Sequence, residues 1–446
     1  MVGAAGFLRG MRIGPMARPV FRLLMVGVFT SSVGDLCYAV ALPWLILSGV
    51  GGSTLLGSVL AVYGVARVAG ILAGGVLADR IGPRPVMFGA DLVRGAAVCA
   101  LGVQALSGKP ALDVLLIISA IQGACGGLFQ PAALARVPDL LPEQELAAGN
   151  AIDSAVGQFG SLIGPAIGGV LISAFGAGVT ILVDGGSFAV SALTLIAIGW
   201  VQRAQRQAGA IPATASGAAG DAGSDDAQAE ETLPPVTFRQ VLRSGRLLHV
   251  LFVASLIGNF VYVGAYDVAL PTLAHRAYGA DGYGALLAIV AVGLLIGAIL
   301  ARRGEFVARP GIAVVGMTAA MAVAISLVPY LGGLPGAMVA MLVFGIGTGG
   351  SGVCFITMLQ MWSPRELLGR IMSTIMLAGL GTYPISVALC GYGVKHIGVT
   401  AFFPASGLFM ACAALLALGQ PAIRNYRPGD RYRGPSARAT QPQASK

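Results

Sequence analysis

Three ionisable residues lie deep inside long apolar stretches of this sequence: Asp35, Arg67 and Asp267. A charge surrounded by lipid is costly, so an ionisable residue at that depth is a candidate for function. Asp35 and Arg67 occupy similar depths in consecutive apolar stretches, which predicts that they pair. The pair would either fix packing only, or contain a proton-titrating acid tuned by the arginine and by burial. In the second case protonation releases the pair and substrate competes for the acid, which is an exchange mechanism.

Asp267 is the second candidate for proton coupling, because polar side chains accompany it at helical spacing. Such a stripe on one face of a spanning helix predicts the wall of a substrate cavity. The candidate cavity residues are Tyr38, Gln122, Asn259, Tyr262 and Tyr266. The remaining acids inside apolar stretches are expected to be structural: Asp91, Asp153 and Asp184.

The sequence contains no constellation typical of catalysis. Its three histidines are scattered, its six cysteines all lie in apolar runs without a C-x-x-C pair, and it has no Walker loop. We therefore expect no enzymatic activity, no metal site, no cofactor and no ATP-driven step. A proton gradient can supply the energy instead, at about 2.3 kcal/mol per charge per 100 mV.

Composition identifies lipid as the main solvent of this chain. Of 446 residues, 56% are hydrophobic and only 11% are charged, whereas soluble domains have about 25% charged residues. This excludes a soluble domain and a disordered chain. The unbroken apolar runs of about 20 residues predict spanning helices rather than the alternating segments of a barrel. The fold class is therefore an all-α polytopic membrane protein of twelve spans: 22–48, 55–78, 86–106, 112–134, 147–173, 178–200, 247–274, 281–302, 310–330, 335–360, 368–394 and 399–420.

The basic residues indicate the topology. If the N-terminus is cytoplasmic, 23 of the 28 Lys and Arg residues lie in cytoplasmic segments and only 3 in outer loops. This bias predicts a multi-pass protein of the cell inner (plasma) membrane with both termini cytoplasmic. It also explains the net charge of +9 without nucleic acid. No cleavable signal peptide is expected at the N-terminus, where Met11 and Met16 leave the start codon open.

The chain divides into two related halves. We predict an N-terminal tail (1–21), a six-helix bundle (22–200), a cytoplasmic linker (201–246), a second six-helix bundle (247–420) and a C-terminal tail (421–446). The segment 38–45 reads YAVALPWL and the segment 266–273 reads YDVALPTL, an offset of 228. Two six-helix repeats predict a transporter with its substrate site between the halves. The alternative is a duplicated membrane protein without a transport role.

A motif follows span two. Residues 75–84, GVLADRIGPR, resemble the G-x-x-x-D-R-x-G-R-[RK] motif of the major facilitator superfamily, with Pro83 in place of the first basic residue. The resemblance implies that Asp79 interacts with the start of span eleven, near 368–371, and with Arg136 at the end of span four. This contact would latch the cytoplasmic side closed; the alternative is a simple turn. The predicted latch residues are Gly75, Asp79, Arg80, Gly82, Arg84 and Arg136.

A second motif lies in span five. Residues 160–169, GSLIGPAIGG, match G-x-x-x-G-P-x-x-G-G, which marks antiporter branches of the same superfamily. Small residues four apart allow close helix contact, and a proline bends the helix. We expect a hinge and seal facing the pair Gly293 and Gly297 of span eight; ordinary packing is the alternative. The motif residues are Gly160, Gly164, Pro165, Gly168 and Gly169.

Together the two motifs and the twelve spans resemble the drug:proton antiporters of the major facilitator superfamily. The resemblance implies the major facilitator fold in a lipid bilayer, alternating access, a drug-like or natural-product substrate, and protons as the coupling ion. We expect a monomer. An importer or facilitator of a small metabolite is the second interpretation, and a non-transporting membrane protein or membrane enzyme is the third.

Overall fold

The computed structural model describes residues 14–49, 51–108, 110–137, 140–207, 246–301, 309–364 and 367–427. Within these ranges all long elements are helices, and eleven of them are long and apolar enough to cross a membrane. One of the eleven, Glu143–Gln207, breaks at Gly176, where φ is 83° and ψ is 166°. Glycine adopts this backbone conformation without steric cost. Each arm is about 45–50 Å long at 1.5 Å per residue, so this helix supplies two spans, consistent with the predicted twelve.

We number the spans in chain order. The first half contains α1 (Pro19–Leu47), α2 (Gly52–Ile81), α3 (Pro83–Ser107), α4 (Leu112–Ala135), α5 (143–175) and α6 (177–207). The second half begins with α7, which runs through Arg246–Gly264, Ala265–Ala269 and Leu270–Ala277. It continues with α8 (Gly279–Leu300), α9 (Pro310–Leu327), α10 (Gly333–Trp362), α11 (Leu368–Ile397) and α12 (Val399–Leu418). Most of the predicted linker, 208–245, and most of both predicted tails lie outside the described residues.

The two halves pack in the same pattern. In the first half α2 packs on α4, while α3 packs on both α4 and α6. In the second half α8 packs on α10, and α9 packs on both α10 and α12. Across the boundary α2 contacts α11 and α5 contacts α8, which are equivalent pairs in a duplicated fold. The packing therefore agrees with the internal repeat seen in the sequence.

Apolar side chains separate into a core and an outer surface. The largest fully buried side chains include Phe21, Phe188, Phe344 and Phe403. Many other large apolar side chains, such as Leu193, are mostly exposed. Such exposure would be costly in water but is expected where a bundle faces lipid.

The bundle has one open end and one closed end. We call the end at which α1 begins and α12 ends the terminal face, and the other end the opposite face. At the opposite face the halves touch: Ser53 Oγ donates to the Gly391 carbonyl at 3.2 Å, and Ser48 Oγ lies 3.0 Å from His275 Nε2. The rings of Trp44 and His275 are 4.6 Å apart. These contacts close the opposite face.

Candidate functional site

A cavity of about 620 Å³ lies between the halves. Its wall runs from Pro43 and Leu60, on the side of the opposite face, to Met87 and Arg136 near the terminal face. The second half contributes Asp267, Tyr283 and Tyr383. With the opposite face closed, this cavity opens toward the terminal face. Its volume is typical of a small-molecule site.

Asp35 lies in the wall of this cavity and forms an ion pair with Arg94 of α3. The Asp35 side chain is 38% exposed, whereas that of Arg94 is 11% exposed. Arg94 Nε also donates to Gln122 Oε1 at 2.8 Å, and its guanidinium lies 4.3 Å from the centre of the Phe188 ring. The carboxylate of Asp35 is therefore accessible from the cavity, while Gln122 and Phe188 hold the guanidinium of Arg94 in place. The prediction that Asp35 pairs with Arg67 is wrong.

Arg67 faces α4 instead of α1. Its guanidinium donates to Tyr63 Oη at 3.3 Å and to Gln130 Oε1 at 3.4 Å. Glycines bring α2 and α4 into backbone contact there: a Cβ on Gly127 would lie 2.3 Å from the Arg67 carbonyl oxygen. Similar depth in consecutive helices predicted the wrong pair because α2 packs mainly on α4, not on α1. Arg67 still lines the cavity.

Two further acids lie close to Arg94, although their positions in the sequence predict a structural role for both. Asp91 and Asp184 are fully buried, and each has one carboxylate oxygen without a partner in the described residues. Ser191 donates to Asp91 at 2.6 Å and Ser187 donates to Asp184 at 3.2 Å. The sequence signal that could have identified them as site residues is their position as acids inside apolar stretches. We call Asp35, Asp91, Arg94, Gln122 and Asp184 the Arg94 cluster.

Close helix packing brings Asp184 to this cluster. A Cβ on Gly34 of α1 would lie 2.7 Å from Asp184 Oδ1, so only glycine at this position allows α6 to approach so closely. Asp35, Asp91 and Arg94 lie within electrostatic range of the Asp184 carboxylate. One guanidinium is thus the counter-ion for several carboxylates in a low-dielectric interior. In the described residues no group of three His, Cys, Asp or Glu side chains is placed to hold a metal ion.

The predicted polar stripe of α7 is divided between two spaces. Asp267 lines the cavity between the halves and accepts a hydrogen bond from Tyr383 of α11. Asn259 and Tyr262 line a different cavity inside the second half. Asp267 lies within the π-helical turn Ala265–Ala269, where an extra residue per turn rotates side chains away from the face that carries Asn259 and Tyr262. Tyr266 is not among the residues that line either cavity, and it stacks on Tyr262 with ring centres 5.3 Å apart.

The predicted latch is open. Asp79 and Arg80 are exposed, with no ion pair in the part of the chain that the structure describes. Arg136 instead pairs with Asp153 of α5 at 2.5 Å. Gly82 follows with a φ of 89°, so the chain turns sharply into α3.

The rest of this motif is structural in the observed conformation. Gly75 has open space beside it. Arg84 Nε donates to the Leu195 carbonyl at 3.0 Å and ties α3 to α6. Asp79 and Arg80 are therefore the charged members of the motif that remain available for another contact.

The span-five motif packs mainly within the first half. A Cβ on Gly160, Gly164 or Gly168 would lie between 2.7 and 3.0 Å from atoms of α1. Only the last glycine, Gly169, reaches α8, where a Cβ would lie 2.8 Å from the Ala280 carbonyl oxygen. The Pro165 carbonyl lies beside Gly284, also of α8. The prediction that this motif faces Gly293 and Gly297 is wrong, because both of these glycines pack on α10.

Gly164→Leu should destabilise the first half and reduce transport. The new side chain would collide with Leu36, whose Cβ lies 2.7 Å from the position of an added Cβ. We expect a loss of about 1–3 kcal/mol, typical of overpacking, measured as a lower melting temperature of the purified protein. Gly157→Leu is the control because an added Cβ there meets no atom within 4 Å. Equal melting temperatures and transport in the two variants would show that the motif does not depend on close packing.

Two known proteins are similar to this chain over most of its length. The chain is 26% identical to the multidrug efflux pump Tap of Mycolicibacterium fortuitum over 90% of this chain and 96% of that protein. It is 27% identical to the enterobactin exporter EntS of Shigella boydii serotype 4, over 85% of this chain and 90% of that protein.

Solved structures share the fold. A peptide transporter POT in complex with sulfate has a TM-score of 0.65 at 15% identity, covering 92% of this chain and 96% of the other. A D-xylose–proton symporter has a TM-score of 0.63 at 14% identity, covering 92% and 98%. The model of the Major Facilitator Superfamily matches residues 24–379. Two equivalent six-helix halves, a cavity between them and this match together show that the protein belongs to the Major Facilitator Superfamily.

Proposed function

We propose that this protein exports amphipathic small molecules in exchange for protons by alternating access. The observation that carries the proposal is the Asp35–Arg94 ion pair, which lies in the wall of the cavity between the halves. Tap and EntS, which match nearly the whole chain, are named as exporters. The span-five glycine motif also favours the antiporter branch over an importer.

The excess of basic residues supports a cytoplasmic terminal face. With 23 Lys and Arg residues in cytoplasmic segments against 3 in outer loops, both termini lie in the cytoplasm. The cavity of the observed conformation then opens to the cytoplasm, from which an exporter collects substrate. We further propose that the protein acts as a monomer in the inner membrane.

Asp35 would couple protons to substrate by exchanging partners. Arg94 is largely buried, so loss of its counter-ion is costly. A proton arriving from outside neutralises Asp35 and weakens the pair, whereas release of that proton to the cytoplasm restores it. Because Asp35 is accessible from the cavity, a bound cationic or polar substrate competes with the proton for the carboxylate. Asp267, on the opposite wall, is a second acid in the same cavity.

Inverted membrane vesicles test the proposed function. Vesicles that are acidic inside should accumulate ethidium when they contain this protein, and nigericin should abolish accumulation by collapsing the pH gradient. Vesicles without the protein are the control. Accumulation that requires the opposite gradient would indicate an importer, and the absence of any accumulation across a panel of cationic and neutral dyes would contradict export.

Asp79→Asn should slow the transport cycle without preventing insertion. The exposed carboxylate is free in the cytoplasm-open conformation, so it is available to the positive N-terminal end of α11 when that face closes. We expect turnover to fall roughly tenfold if the latch contributes about 1.4 kcal/mol. Asp113→Asn, at an exposed acid near the opposite face, is the matched control. Wild-type turnover of Asp79→Asn would refute the latch.

A further inference from the structure

A second cavity, of about 410 Å³, lies inside the second half between α7, α9, α10 and α12. Its wall on α7 runs from Leu251 to Tyr262. None of its lining residues is charged. The volume is within the range of sites that hold drug-sized ligands, and nothing in the exchange mechanism of the Arg94 cluster uses it.

This cavity is the counterpart of the space that holds the Arg94 cluster. Six α7 residues line the second cavity, and each has a counterpart 227 positions earlier among the α1 residues that line the first, from Leu24 and Leu251 to Asp35 and Tyr262. The other walls also come from equivalent helices: α3, α4 and α6 in one half, α9, α10 and α12 in the other. The duplicated fold thus provides an equivalent space in each half. Charged side chains occupy this space in the first half, whereas the space in the second half is lined by uncharged residues.

The polar residues of the second cavity do not make it polar. Thr318 donates to the Val314 carbonyl and Thr348 donates to the Phe344 carbonyl, each at 2.8 Å. Ser351 donates to the Thr348 carbonyl at 3.2 Å. Hydroxyl groups that bond to their own helix have no free proton for a ligand. Ser255 and Asn259 also line the cavity, and Asn259 Nδ2 donates to the Gly379 carbonyl at 2.7 Å. Most of the rest of the wall is aliphatic and aromatic, with the thioethers of Met321 and Met410, which adapt to ligands of different shape.

Aromatic residues link the wall of the second cavity to that of the first. Tyr262 lines the second cavity and stacks between Tyr266 and Phe344, with ring centres 5.3 and 5.7 Å away. The next residue after Tyr266 is Asp267, which lines the cavity between the halves. The wall of the second cavity therefore continues along α7 into the wall of the first.

We propose that the second cavity binds the uncharged apolar part of the transported molecule, while the Arg94 cluster interacts with its charge or with the proton. This inference rests on the proposed export function. An amphipathic substrate fits this division because its two parts need different surroundings: an apolar group gains by leaving water, whereas a charged group needs a counter-ion.

Two glycines in the wall permit a direct test. An added Cβ on Gly258 or Gly352 meets no atom within 4 Å, so Gly258→Phe and Gly352→Phe should fill the cavity without moving the backbone. Gly316→Phe on α9 is the matched control, since Gly316 also has open space around it but does not line the cavity. The probe is N-phenyl-1-naphthylamine, an uncharged aromatic dye, measured by fluorescence with purified protein in lipid nanodiscs and by export from inverted vesicles.

We expect the dissociation constant of the dye to rise about tenfold or more in both cavity variants and its export to fall, with Gly316→Phe unchanged. Melting temperatures near that of the wild type show that the variants fold. Unchanged binding and export in both cavity variants, with wild-type export intact, would overturn the inference and leave the proposed function standing. Loss of a copurified phospholipid from the cavity variants, with dye binding unchanged, would overturn it in favour of an acyl chain. A wild type that exports neither this dye nor ethidium would overturn both proposals.

Discussion

Asp35→Asn should abolish accumulation driven by a proton gradient while leaving exchange of substrate for substrate intact. The amide is similar in size to the carboxylate, so it can occupy the same place beside Arg94, but it cannot bind and release a proton. We expect gradient-driven accumulation in inverted vesicles to fall at least tenfold, corresponding to about 1.4 kcal/mol or more of lost coupling. Exchange between internal and external substrate needs no net proton movement, so it should persist. Normal gradient-driven accumulation would refute the coupling role of Asp35.

The partner of Asp35 can be tested separately. Arg94→Gln leaves the acids of the Arg94 cluster without their cation, and the pH dependence of transport should change. Arg67→Gln should not produce this change, because Arg67 contacts Tyr63 and Gln130 rather than Asp35. Arg94→Lys retains the charge and should restore part of the coupling if Arg94→Gln fails for electrostatic reasons. Identical pH profiles for Arg67→Gln and Arg94→Gln would contradict the assignment.

Gly57→Leu should prevent the opposite face from closing. A Cβ on Gly57 of α2 would lie 2.5 Å from the Val387 carbonyl oxygen and 3.1 Å from the Gly391 Cα of α11. The two backbones cannot separate without opening the contact between the halves. We expect a rise in proton leak and a loss of uphill transport of roughly tenfold or more, since a barrier of about 1.4 kcal/mol is worth a factor of ten.

Thiol labelling gives a second measurement of this seal. A cysteine introduced by Ser53→Cys is buried against Gly391 in the closed face. A membrane-impermeant maleimide added from outside should label it faster when Gly57→Leu is also present. Gly89→Leu on α3 is the matched control, because an added Cβ there meets no atom within 4 Å. Equal labelling rates in the two backgrounds would show that α2 and α11 do not form the seal.

Much of the fold could be predicted from the sequence because lipid restricts the choice of structure. A backbone in hydrocarbon must satisfy its own hydrogen bonds, so long apolar runs predict helices and basic residues indicate their orientation. The break at Gly176 separates two spans where the sequence analysis placed the boundary between spans five and six. The extension of α6 to Gln207 was not predicted, because the end of the apolar run, rather than the end of the helix, determined the boundary.

The candidate site was predicted only in part. Asp35 and Gln122 do lie together, but their partner is Arg94 rather than Arg67. Asp184 joins them although it lies 149 residues after Asp35, because Gly34 allows α6 to pack closely on α1. Depth in the membrane can be read from position in an apolar run. The direction in which a side chain points around the helix axis, and the helix that it faces, cannot be read in this way, because every side of such a helix is apolar.

By itself, therefore, the sequence determined the helical class, the number of spans, the duplication and the residues that are costly in lipid, because each depends on local composition or on repeated local sequence. Only the tertiary structure decided which charges meet, which glycines form the contact between the halves, and that the same internal space is charged in one half and apolar in the other. These features depend on contacts between helices distant in sequence. The rotation of each helix about its axis sets those contacts, and close packing of small residues fixes that rotation.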